Sequence, residues 1–282
     1  NHPDIYTGAQ EPKIIDNLLT VKKTYPELHE SENLLGYIAY CANVARFGDA
    51  FSHLAKPLIE DDAFGLADLQ ALTSKTLDHE YIPLLRAVYD HLAKNAGKKF
   101  WYFKSQVIFF TEIIHWIPYA LFLEIIRDPR DVLASKKKDK AAILSTKYSQ
   151  EKRKLKILEK TFDPIWDSLS WKSEITAGRK IKQSHPDIIF SFKYEDLVSN
   201  PEIYAKKCCR FLNISFYENQ LDVPTRNSAL WENRPKGIGT QSVNKWRGIL
   251  NPEETAMCQF LTKNEMHELD YQITDTNPKI FA

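Results

Sequence analysis

The sequence predicts an α/β protein, a parallel sheet flanked by helices. Strand-like runs alternate with helical ones along the chain. Ala120 to Ile126 is a nearly continuous apolar run of strand length. No linker rich in Pro, Ser or Gly breaks the 282 residues. Alternating strands and helices imply parallel pairing with helices on both faces. A strand buried on both faces of such a sheet reads as an apolar run.

Taken in order, Ile5-Tyr6-Thr7 predicts a short strand, entered from His2-Pro3-Asp4 and closed by Gly8. From Asn33 to Ala96 apolar residues recur at helical spacing, as in Ile82, Leu85 and Val88. Asn95-Ala96-Gly97 is a helix-stop signal, and the aromatic-rich Lys99 to Phe103 after it predicts a strand. Val107 to Ile126 contains Glu112, His115, Pro118 and Glu124, which are costly in a bilayer, so it predicts a helix, a Pro turn and a buried strand.

Asp128, Pro129 and Asp131 then suit the N-cap, first-turn and capping-box positions of a helix. Lys136 to Lys160 and Trp171 to Ser184 predict helices, and Ile188 to Phe192 a second buried strand. A helix follows Asn200-Pro201 as far as Phe211-Leu212, and Pro224 to Gly248 predicts a loop.

Composition narrows the function classes. Lys and Arg number 38 against 37 Asp and Glu, a formal net charge of +1, which argues against a general nucleic-acid binder. Neither GxGxxG nor GxxxxGK[ST] occurs. The four cysteines form no CxxC pair, so no metal site or disulfide framework is expected, and reduced thiols point to the cytoplasm. No membrane span and no signal peptide is predicted.

The segment Leu121-Phe122-Leu123-Glu124-Ile125-Ile126-Arg127-Asp128-Pro129-Arg130-Asp131 carries the chemistry. A buried strand delivers Arg127 to its carboxyl end, where ligands bind in open α/β sheets. The next helix offers free N–H groups and a partial positive charge to an anion. Arg binds phosphate bidentately, and Ser135, two turns on, adds a hydroxyl. The same residues also suit a purely structural role, with Arg127 paired to Asp131 or Glu124.

Strand–Arg-Asp-Pro-Arg-Asp–x-x-x–Ser resembles the 3′-phosphate-binding segment of sulfotransferases that use 3′-phosphoadenosine 5′-phosphosulfate (PAPS). Three further segments are similar to that family in the same order: His2 to Pro12, Ser191 to Ile214 and Lys236 to Arg247. The resemblance implies a P-loop-NTPase-like fold, one domain over 1–282, and an acceptor-binding region within 33–96. It implies PAPS as co-substrate, no metal, and an acceptor bearing a hydroxyl or amine, with the Glu-Pro context leaning towards carbohydrate.

Residue by residue, it implies Glu11 as catalytic base and Lys104 as the cation near the transferring group. Arg127 and Ser135 would hold the 3′-phosphate, and Tyr194 would lie by the adenine. Lys236, Gly237, Ser242 and Lys245 would belong to a loop closing over the nucleotide. The family's first strand and its 5′-phosphosulfate loop precede the His-Pro-Asp segment. They are absent from this sequence, which begins at Asn1; the favoured expectation is a fragment of a longer enzyme with its N-terminal piece missing, and the alternative is the product of a truncated gene that binds PAPS poorly and is inactive. An anchor in that piece would place the protein in the Golgi lumen instead. Two other readings stay open: a nucleotide-dependent kinase of the same architecture, and a non-catalytic binding module using the Lys136 to Lys160 helix on an acidic partner or RNA.

Overall fold

A computed structural model of the chain describes residues 2–6, 22–28, 36–38, 41, 81–145, 162–222 and 238–274. The protein is mixed α/β, mostly helical with small parallel sheets. It divides into two units, Asn1–Leu121 and Phe122–Ala282.

In the first unit, strand β1 (Ile5–Tyr6) pairs in parallel with β2 (Phe100–Trp101). β2 is shorter than the expected Lys99 to Phe103 because the ladder extends only as far as β1 reaches. Helix α1 (Tyr81–Asn95) buries Ile82, Leu85 and Val88, as their spacing requires. It stops at Gly97, whose φ of +64° a side chain would disfavour. The Gly97 and Lys98 amides donate to the Lys94 and Ala93 carbonyls, a Schellman closure. A single 3-10 turn and helix α2 (Phe110–Trp116) then lead to the Pro118 turn.

The second unit is built on β3 (Phe122–Ile126) and β4 (Ile189–Lys193), which are parallel with Glu124 opposite Ser191 and Ile126 opposite Lys193. Helix α3 (Pro129–Ser145) follows β3. Helix α4 (Pro164–Ser184) begins seven residues before the expected Trp171, because Asp163 caps it by accepting the Ile165 and Trp166 amides and Pro164 preorganises the first turn. Helices α5 (Tyr194–Ser199) and α6 (Pro201–Phe211) follow β4.

The last helix, α7 (Pro252–Glu268), was not anticipated. Its signal is the capping box of Asn251 with Glu254. Ser242 and Lys245 lie on two short 3-10 turns, Thr240–Ser242 and Lys245–Gly248, inside what reads as loop in the sequence.

The two faces of the β3–β4 pair are covered unequally. On the Glu124 face, α4 and α7 pack Trp171, Ile175 and Met266 against Ile126. Gly178 of α4 sits where a Cβ would meet Glu124 Oε1 at 2.0 Å. On the other face, α6 sets Phe211 and Tyr204 against Phe190 and Phe192. Leu123 and Ile125 remain 37% and 54% exposed. The two-sided burial expected of this strand is therefore corrected. Side chains alternate along it, and α6 covers only the half of the second face that belongs to β4.

A second core joins Leu133 and Ala134 of α3 to Trp246, Leu250 and Cys258. Each of the two leucines contributes about 1.5–3 kcal/mol by leaving water. The cysteines are free thiols, and burial pushes that of Cys258 up to about 11. Among the described residues no helix is long and apolar enough to cross a membrane.

Candidate functional site

Parallel pairing puts Ile126 beside Lys193, so the next residues, Arg127 and Tyr194, emerge together at the carboxyl ends of the strands. The Arg127 guanidinium carbon lies 4.7 Å from the centre of the Tyr194 ring, a cation–π contact. Its Nη2 donates to the Ser242 carbonyl, which ties in the segment before α7. Its Nε is buried and has no hydrogen-bond partner among the described residues. Neither structural partner considered from the sequence takes this arginine. The Glu124 carboxylate accepts from Ser191 Oγ at 2.5 Å, and that of Asp131 accepts backbone amides.

The second arginine of the segment is used differently. Arg130 is only 3% exposed. Its Nε and Nη2 donate to the two Asp128 oxygens at 3.0 and 2.6 Å, and Nη1 donates to Gln259 Oε1 at 2.8 Å. Its guanidinium carbon lies 4.2 Å from the centre of the Trp246 ring, which also carries Arg247 at 4.5 Å. Arg130 is thus a structural arginine, whereas Arg127 keeps an unused buried donor. Such a donor costs free energy unless an acceptor reaches it.

Asp128 caps α3 as its position suggests, accepting the Arg130 amide at 2.9 Å. The capping-box role expected of Asp131 is corrected. The Asp128 amide donates instead to Glu195 Oε1 at 3.0 Å, and Glu195 Oε2 accepts the Tyr271 hydroxyl at 3.0 Å. Asp131 reaches across to the 3-10 turns. Its Oδ2 accepts the Asn244 amide at 2.7 Å, and its Oδ1 the Trp246 amide at 3.0 Å. Burial pushes the Asp131 carboxyl above the usual carboxylate range, and these two bonds and the charge of Arg127 pull the other way. Burial likewise raises Glu124, against its bond from Ser191 and the charge of Lys182.

The structure brings Arg127, Tyr194 and Ser242 together, with the backbone carbonyl of Ser242 making the contact. Ser135 is half-buried, four residues after Asp131 and so on the same face of α3. Lys245 opens the turn that Asp131 holds. Lys104 is exposed, three residues after β2 in the first unit. Glu11, Lys236 and Gly237 lie outside the described residues. Sequence reasoning missed Glu195 and the tether made by Asp131. Glu195 stands inside the Tyr-Glu-Asp-Leu segment but had no role assigned, and the local uses for Asp131 were a capping box and a pairing with Arg127. The basic run after α3 begins turns partly inward, since Lys136 pairs with Asp167 and Lys137 with Glu254.

The model of the sulfotransferase family matches residues 3–218, which include Arg127, Ser135 and Tyr194 but not the 3-10 turns that carry Ser242 and Lys245. No curated protein matches. One similar solved structure is the sulfotransferase domain from the curacin biosynthetic pathway, at 16% identity over 78% of each chain with a TM-score of 0.46. A likeness at that level transfers neither fold nor substrate.

Proposed function

Because the chain belongs to the sulfotransferase family, we propose that it moves a sulfuryl group from PAPS to an acceptor hydroxyl or amine, with carbohydrate hydroxyls the favoured class, on a P-loop-NTPase-like scaffold. The observation that carries the reading is Arg127: a guanidinium at the carboxyl end of β3, seated on Tyr194, with a buried Nε that has no partner among the described residues. The donor set fits an anionic nucleotide. Guanidinium and hydroxyl donors suit a phosphate, and an aromatic ring suits a base.

Bound PAPS supplies the activated sulfuryl group, and adenosine 3′,5′-bisphosphate is what remains after transfer. Arg127 and Ser135 hold the 3′-phosphate. Tyr194 supports the guanidinium and lies beside the adenine. The loop of Lys236, Gly237, Ser242 and Lys245 closes the site and excludes water. Glu11 takes the proton from the acceptor hydroxyl, and Lys104 neutralises charge near the transferring group. Holding the reactants in line and neutralising charge supply most of the acceleration, as in phosphoryl transfer. Residues 33–96 are the region that would bind the acceptor. The inward ion pairs of Lys136 and Lys137 weigh against a partner-binding face there.

Calorimetric titration tests this with two ligands, adenosine 3′,5′-bisphosphate and adenosine 5′-monophosphate. The wild-type chain is expected to prefer the bisphosphate. Arg127→Ala should lower bisphosphate affinity by about a hundredfold or more, the worth of two charge-assisted hydrogen bonds, and abolish the preference. A folded wild type that binds neither ligand, or a preference that survives in Arg127→Ala, would refute the assignment.

A further inference from the structure

Asp131 is 2% exposed, and neither of its oxygens faces a cation at ion-pair distance among the described residues. What faces it is backbone. The amides of Asn244 and Trp246 converge on the two oxygens from a chain that turns through Asn244 at φ 59°, ψ 18°. Successive N–H groups around one left-handed residue form a concave nest for an anion. Asparagine is among the few residues other than glycine that enter this conformation readily. In this protein the anion is an internal carboxylate.

Two consequences meet in the same few residues. Holding Asn244 in place fixes Ser242, two residues earlier, whose carbonyl takes Arg127 Nη2. Holding Trp246 lays its ring on Arg130, which is itself fastened to Asp128 at the start of α3. One carboxylate therefore joins the helix start to the segment that would cover a bound nucleotide.

We propose that Asp131 is the positioning residue of the nucleotide site: its carboxylate fills the backbone nest at Asn244–Trp246 and so presents the Ser242 carbonyl to Arg127. Asp131 itself touches no substrate. The proposal rests on the sulfotransferase reading for its effect on nucleotide affinity, but the tether is readable without nucleotide.

The wild-type chain is compared with Asp131→Asn, which keeps the shape and turns one acceptor into a donor facing a donor. Three measurements are made: hydrogen exchange at the Asn244 and Trp246 amides, tryptic cleavage after Lys245 and Arg247, and titration with adenosine 3′,5′-bisphosphate. In the wild type both amides should exchange at least about tenfold more slowly than in an unstructured peptide of the same sequence. In Asp131→Asn that protection should be lost, and cleavage should quicken about tenfold. Nucleotide affinity should fall about tenfold, the equivalent of one charge-assisted hydrogen bond.

Asp167→Asn is the control, a buried acid tied to α3 through Lys136. It should lower the melting temperature but leave loop cleavage and nucleotide affinity unchanged. Unprotected amides in the wild type overturn the tether even if Asp131→Asn does not fold. So does an Asp131→Asn chain that is cleaved and binds like wild type. Loop readouts that move as expected in a chain that binds no nucleotide uphold the tether and remove the sulfotransferase reading.

Discussion

Replacing Gly178 by alanine sets two effects of opposite sign against each other. In a helix interior alanine is favoured over glycine by about 1 kcal/mol. At this position, however, a Cβ would lie 2.0 Å from Glu124 Oε1 and 2.8 Å from its Cδ. A carboxylate is the far end of a flexible side chain, and in water it would swing aside at little cost. Here Glu124 is 6% exposed and accepts from Ser191. Displacing it adds overpacking of about 1–3 kcal/mol. A buried acceptor stripped of its donor adds a further 1–3 kcal/mol or so. The clash outweighs the propensity gain, and Gly178→Ala should destabilise the protein by about 1–5 kcal/mol. Urea unfolding followed by circular dichroism reads this as a lower midpoint at unchanged slope. In a Glu124→Ala background the obstacle is gone, so the same glycine change should instead stabilise by up to about 1 kcal/mol. A Gly178→Ala chain as stable as wild type, or an effect that keeps its sign in that background, would refute the reasoning.

Two more outcomes follow from the same site. Because burial raises the folded-state Glu124 carboxyl above its unfolded value, the folded chain holds that proton more tightly. Its stabilising contribution is complete below the unfolded value, roughly pH 4, and is lost as pH rises through the folded one. Wild type should therefore lose stability relative to Glu124→Gln across that window in denaturant titrations at stepped pH; a constant difference would contradict the sign. At Tyr194 the ring and not the hydroxyl carries the contact with Arg127. Tyr194→Phe should keep adenosine 3′,5′-bisphosphate affinity within about twofold, while Tyr194→Leu should lower it about three- to tenfold, the worth of a partly desolvated cation–π contact. Equal losses in both variants would show that the hydroxyl matters instead.

Much of the second unit was legible because its signals are local. The strand before Arg127, the Asp128-Pro129 helix start, the strand before Tyr194 and the Asn200-Pro201 helix each declare themselves within a few residues, and the structure places them within a residue or two. The N-cap pairs Asp163-Pro164 and Asn251-Pro252 were equally local and went unread, which cost the first two turns of α4 and all of α7. What local pattern could not supply was pairing across distance. Nothing near Asp131 says that it will bond to amides more than a hundred residues on, and nothing near Gly178 says that a carboxylate needs its space. The division of labour between Arg127 and Arg130 was hidden for the same reason. It depends on Gln259 and Trp246, which only the folded chain brings near.

The order in which the chain is made bears on when this site can exist. Glu124 and Ser191, opposite each other across β3 and β4, are 67 residues apart in sequence. Closing a loop of that length costs on the order of 4 kcal/mol of chain entropy before any contact repays it. Most of the intervening length is α3 and α4, which can form from nearby residues and shorten the search. Even so, a nascent chain that has extended past Arg127 has an arginine without its ring. Translation must run past Tyr194 to supply the ring and past Trp246 to supply the segment that holds Ser242. A ribosome stalled between those points would carry helices and strands, but not the assembled cluster of Arg127, Tyr194 and Ser242.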